Sequence, residues 1–211
     1  MSREHILHTV RTALKRGAGQ GIAEPPPVRL RVPEVDPDTR VARMLSRVEA
    51  LAGKTLRAPS MDEARVYTAE VLGGRSAVAS NAPFLRECGI GGLPGVETGF
   101  TDSAALRARC AVVDVGITSA DYALADTGTL VMLAGLAEAR LISLLPPVHI
   151  AVVPAARVLS GLDELLTLVS HPAEQTSSMV MITGPSRTAD IEQILVRGVH
   201  GPGEIHVVVV G

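Results

Sequence analysis

Two short runs, Val148-His-Ile-Ala-Val-Val153 and His206-Val-Val-Val-Val210, are apolar at almost every position. A strand with one wet face alternates apolar and polar residues. A strand that is apolar on both faces has to be covered on both sides, as in a parallel sheet flanked by helices. From residue 54 onward the chain alternates such runs with helical periodicity. Helices are predicted over 61–72, 82–88, 102–109, 140–144, 162–170 and from about 188. Strands are predicted over 76–80, 111–115, 148–153, 179–183 and 205–210. The expected class is α/β, a three-layer sandwich with a mostly parallel sheet. The pieces 122–125 and 130–133 flank Asp126-Thr-Gly-Thr129, which suits a β-hairpin or a strand broken at a ligand-facing turn.

The front of the chain has a different texture. Ile6, Leu7, Val10 and Leu14 recur at helical spacing behind Ser2, a suitable cap. Gly17, Gly19, Gly21, Pro25-Pro26-Pro27, Pro33 and Pro37 then describe an extended linker. A second helix is predicted over 38–51, ending before Gly53. The division expected is a helical extension with a Pro/Gly-rich linker over 1–53 and an α/β domain over 54–211. Residues 1–57 hold 11 Lys+Arg against 6 Asp+Glu, although the whole chain is at −2. Either the extension docks on an acidic surface or its helices are ordinary solvated ones.

Composition closes off several functions. The aromatic residues are Tyr67, Phe84, Phe100 and Tyr122 alone, too few for a surface that stacks nucleic-acid bases. No apolar run approaches the ~20 residues of a membrane span, and the first residues lack the apolar core of a signal peptide. A cytoplasmic protein is expected. Cys88 and Cys110 are the only cysteines and form no CxxC pair. They cannot by themselves hold a structural zinc or an iron–sulfur cluster, so no metal or cofactor is expected in this chain. Dinucleotide, P-loop and HExxH fingerprints are absent.

Polar clusters after the strands carry the candidate chemistry. In Thr183-Gly-Pro-Ser-Arg-Thr188 a strand breaks and a helix is predicted to restart, leaving backbone N–H groups that attract an anion. Gly184, Ser186, Arg187 and Thr188 are the candidate ligand groups there. The alternative is a structural turn with a Ser or Thr cap. Asp126, Thr127, Gly128 and Thr129 read equally well as an anion cradle with Asp126 as acid or base, or as a self-bonded hairpin turn. Asp121 supplies a second carboxylate close by, and Thr118 a hydroxyl. Arg140 stands alone among apolar residues and needs an anion, a salt bridge or solvent. His200, between Gly198 and Gly201, is a candidate acid/base. His149 reads either as a half-buried histidine bonded to backbone or as a catalytic group, and His206 as structural.

Taken in order, Gly116-Ile-Thr-Ser-Ala-Asp-Tyr-Ala-Leu-Ala-Asp-Thr-Gly-Thr129, Arg140-Leu-Ile-Ser-Leu-Leu-Pro-Pro-Val-His149, Ile182-Thr-Gly-Pro-Ser-Arg-Thr-Ala-Asp-Ile-Glu192 and Gly198-Val-His-Gly-Pro202 resemble the LUD domain family. The motifs cover residues 112–210. One departure is Asp126, where the family pattern has Glu. The resemblance implies a fold like that of ribose-phosphate isomerase, glucosamine-phosphate deaminase and CoA transferase. It also implies a part in oxidising L-lactate to pyruvate beside iron–sulfur partner proteins. This chain would then be the accessory, non-redox component, binding a small anion or its partners. The alternatives are a stand-alone isomerase or transferase using Asp126 or Asp121 with His200, and a regulatory ligand-binding module.

Overall fold

The computed structural model describes residues 2–15, 17, 35–188 and 196–211. The first helix, α1 (Arg3–Leu14), starts where the Ser2 hydroxyl accepts from the His5 amide. It has no buried residue, and Ile6, Val10 and Leu14 are exposed. Most of the linker expected over 17–37 lies outside the described residues.

The body begins with α2 (Pro37–Ala50), capped by the Asp36 carboxylate and opened by a proline whose missing N–H costs a helix start nothing. Its Val41, Met44 and Val48 are fully buried against the sheet, each contributing about 1.5–3 kcal/mol by burial. The second helix thus packs into the same core as the strands that follow it.

The next elements are β1 (Lys54–Ala58), α3 (Met61–Leu72), β2 (Ala77–Ala79), α4 (Pro83–Glu87), β3 (Val96–Glu97), α5 (Ser103–Cys110) and β4 (Val115–Ser119). They lead to the hairpin β5 (Tyr122–Leu124) and β6 (Thr129–Leu133), then α6 (Arg140–Leu144), β7 (Val148–Pro154), β8 (Val158–Leu159), α7 (Leu162–Leu168) and α8 (Pro172–Gln175). Last come β9 (Met179–Ile182), β10 (Arg187–Thr188), β11 (Val196–Arg197) and β12 (Glu204–Val210). Six strands form one parallel sheet in the order β1-β12-β7-β4-β2-β3. The two-faced apolar runs become its central strands β7 and β12, as their composition requires.

Alternation sorts the side chains into two cores. Ile150, Val152, Val208 and Val210 face α3 and α4, with Ile117 and Ala79. Ala151, Val153, Ile205, Val207 and Val209 face α2 and a second, four-stranded sheet, β8-β5-β6-β9. The far side of that small sheet is covered by Leu165 and Val169, in and just after α7. One layer of the expected helical cover is therefore partly a sheet.

Two expectations need correction. β4 runs from Val115 to Ser119, not over 111–115, so Thr118 lies inside a buried strand rather than in a loop beyond it. Met179–Ile182 is not a buried strand of the main sheet. It pairs antiparallel with β6 at the end of the small sheet, and Met181 is exposed. Four consecutive apolar residues do not distinguish these two placements. Arg187 and Thr188 pair with Arg197 and Val196 as an antiparallel ladder. The helix expected from about residue 188 lies outside the described residues. Cys88 and Cys110 are both buried, and burial pushes the Cys88 thiol up to about 11. Among the described residues no helix is long and apolar enough to cross a membrane.

Candidate functional site

The connection leaving β2 runs outward to the edge strand β3, whereas the connection leaving β4 runs the opposite way, to β7. A parallel sheet opens a crevice at such a divergence, outside the carboxyl ends of the two strands. Here one side chain bridges the two strand ends. The Glu138 Oε2 accepts from the Ser80 hydroxyl (2.7 Å), just past β2, and from the Ser119 amide (3.3 Å), at the end of β4.

Local structure holds Glu138 in place from three sides. The Asn81 amide donates to the Ala137 carbonyl, and the Gly135 amide donates to the carbonyl of Glu138 itself. α6, which follows directly, lies so close to β4 that a Cβ on Gly116 would stand 1.9 Å from the Ile142 carbonyl oxygen. The glycine is there for close approach, not for its backbone angles.

Glu138 borders a cleft of about 380 Å³, whose walls include Pro83, Glu87, Asp121, Tyr122, Pro154 and Arg157. Glu138 is 7% exposed, and its Oε1 is buried with no hydrogen-bond partner among the described residues. Burial pushes its carboxyl up to about 8, and the Asp121 carboxylate adds to this against the two donors on Oε2. Burial also raises Asp121, opposed by the Leu133 amide (2.6 Å from Oδ2) and by Arg157. Arg157 lies over the Tyr122 ring, 5.3 Å from its centroid, and donates to the Tyr122 hydroxyl at 3.3 Å. The cleft thus combines a carboxyl that keeps its proton near neutrality, a second carboxyl and a positioned guanidinium. That set suits proton exchange with a small anion.

The sequence-derived candidates are distributed differently. Gly184, Ser186, Arg187, His200 and Gly201 do come together, around a groove of about 330 Å³ near the amino ends of β7 and β12. Its backbone is already committed: the Ser186 amide donates to the Pro202 carbonyl and the Gly198 amide to the Ser186 carbonyl. Arg187 donates to the Leu51 carbonyl. His200 is exposed. Beneath the groove lies His149, fully buried, with Nε2 2.7 Å from the Thr118 hydroxyl and Nδ1 without a partner among the described residues. Burial lowers His149 to about 3, so it is neutral.

The Asp126–Thr129 turn is largely self-satisfied. Thr127 donates to Asp126, its hydroxyl meets that of Thr129, and Thr129 meets Thr183, both at 2.8 Å. Gly128, at φ 70°, packs on α2, where a Cβ would come within 2.8 Å of the Arg47 side chain. Asp126 faces a separate, open concavity beside Arg43 and Arg47 of α2. Asp121 therefore finds its carboxyl neighbour in Glu138, not in Asp126. Arg140 is exposed and, among the described residues, its side chain donates only to the Ser178 hydroxyl, at 3.4 Å. His206 is paired on both ring nitrogens, with Glu204 (2.7 Å) and Tyr67 (2.8 Å).

Glu138, Arg157 and Ser80 escape sequence reasoning. The one local signal is a lone acid in Leu136-Ala-Glu-Ala139, where burial demands a partner.

A family model described as the LUD domain matches residues 41–210. Lactate utilization protein C of Halalkalibacterium halodurans is 41% identical over 106 residues, 48% of this chain and 46% of that protein. Lactate utilization protein C of Shouchella clausii is 30% identical over 156 residues, 71% of this chain and 68% of that protein. The chain thus spans about half the length of the first relative and about two thirds of the second. The crystal structure of a DUF162 family protein from Deinococcus radiodurans superposes with a TM-score of 0.64 at 19% identity, covering 84% of this chain and 99% of that one. At that identity the likeness establishes the fold.

Proposed function

The chain belongs to the LUD domain family, and from that premise we propose that it is the non-redox component of a cytoplasmic system that oxidises L-lactate to pyruvate. Lactate gives up two electrons and two protons in that reaction. The two cysteines here are buried and too few to hold a cluster, so the electrons are assigned to iron–sulfur partner proteins. This chain's own contribution is to hold a small carboxylate. The observation that carries this is the Glu138 cleft, whose walls hold both a buried carboxyl and the Arg157 guanidinium at the divergence of β2 and β4. The same layout, a parallel sheet with its cleft at the strand ends, supports grouping the fold with ribose-phosphate isomerase, glucosamine-phosphate deaminase and CoA transferase.

Removing the gene from its native cell should abolish growth on L-lactate while leaving growth on pyruvate intact, and the intact chain should restore it. Undiminished growth on L-lactate would overturn the assignment. A second function, proton transfer by this chain alone, is favoured by the raised Glu138 carboxyl. Turnover of a small substrate by the isolated chain would establish it.

A further inference from the structure

The two oxygens of Glu138 are not equivalent. Oε2 already accepts two hydrogen bonds, from the Ser80 hydroxyl and the Ser119 amide. A carboxyl that carries a proton places it on the oxygen with no donor pointing at it, here Oε1. That oxygen is buried and unpartnered, so the protonated acid presents an O–H without an acceptor. A buried donor left in that state is unfavourable, and an incoming acceptor oxygen relieves it. The same cleft offers one cation, Arg157, held over Tyr122. The other charged groups around it, Asp121 after β4 and Glu87 of α4, are acids. A ligand that satisfies this set carries one negative group and, close by, one acceptor oxygen.

We propose that Glu138 enters the cleft as a neutral acid, that its Oε1–H donates to the oxygen on C2 of a small 2-hydroxy or 2-oxo carboxylate, and that Arg157 takes the ligand's carboxylate. This deepens the lactate-utilization assignment and rests on it for the ligand class. Ionised, Glu138 would lose the O–H that donates to the ligand and would repel its carboxylate. Binding is therefore proton-linked.

Calorimetric titration of the full chain with pyruvate, L-lactate and propionate tests the assignment, because propionate keeps the carboxylate and lacks the C2 oxygen. Pyruvate affinity should fall up to about tenfold per pH unit above the Glu138 titration. Glu138→Gln keeps a donor at the Oε1 position, so it should bind pyruvate within about twofold of the wild type and with a flat pH profile. Glu138→Ala should lose about tenfold for pyruvate and L-lactate and nothing for propionate. Arg157→Gln should weaken all three ligands alike.

A flat wild-type profile would overturn the proposal, as would equal losses for pyruvate and propionate in Glu138→Ala, or no pyruvate binding at millimolar concentration. The growth requirement on L-lactate would stand unaffected by any of these results, so the two assignments fail separately.

Discussion

Glu138→Gln should make the protein more stable, and increasingly so as the pH rises. Between the ordinary carboxyl value of 4.5 and the folded-state value of about 8, the unfolded chain has lost this proton and the folded one keeps it. The folded state then binds more protons, so wild-type stability falls with rising pH, by about 1.4 kcal/mol per unit for a single group. This contribution is fully present below 4.5 and is lost as the pH rises through about 8. The amide that replaces the carboxyl cannot ionise, so the loss disappears in the variant. Urea denaturation from about pH 5 to about pH 8 should show the two proteins diverging by about 3 kcal/mol, with the variant on top. Parallel curves would mean that Glu138 ionises normally in the fold. A residue whose replacement stabilises the fold is retained for another reason, and a ligand site is the usual one.

Gly116→Ala should have the opposite effect and a larger one. The added methyl would stand 1.9 Å from the Ile142 carbonyl oxygen and 3.1 Å from Pro146, so either α6 or β4 has to move. Both are packed: Ile142 is buried with Val78, Leu106 and Cys110, and β4 lies between β2 and β7. Backbone overlap of that kind has no flexible side chain to absorb it, and a loss of about 3–5 kcal/mol is expected. Whatever remains folded should have lost the cleft, because α6 carries the segment that places Glu138. Gly92→Ala is the control. Its added methyl would meet nothing within 4 Å, and its stability should change by less than about 0.5 kcal/mol. Equal stability of the two variants would contradict the account of how α6 is seated.

Much of the fold could be read from the chain because the signals were local. β7 and β12 are apolar at consecutive positions and can only be doubly covered strands. The Asp126-Thr-Gly-Thr129 turn bends the chain into the hairpin β5–β6, and Met61–Leu72 carries its own Ser60 cap. The misplaced pieces were those whose role depends on a distant partner. Met179-Val-Met-Ile182 reads like a core strand, and only its pairing with β6 puts it at a sheet end. Val115 opens β4 rather than closing an earlier strand, because Asp114 turns back to bond the Ser76 hydroxyl and amide.

The candidate site was less legible for the same reason. The 184–187 and 198–202 segments do meet, yet their amides bond each other. Glu138 becomes chemically distinctive only when the strand order β4-β2 places Ser80 and Ser119 on either side of it, 58 and 19 residues away along the chain.

The most direct measurement is the titration of Glu138 itself, followed by the carbon resonance of its labelled carboxyl, without and with saturating pyruvate. The account predicts a midpoint of about 8 in the free protein and a higher one with pyruvate bound. A midpoint near 4.5, or one that pyruvate leaves unmoved, would contradict it.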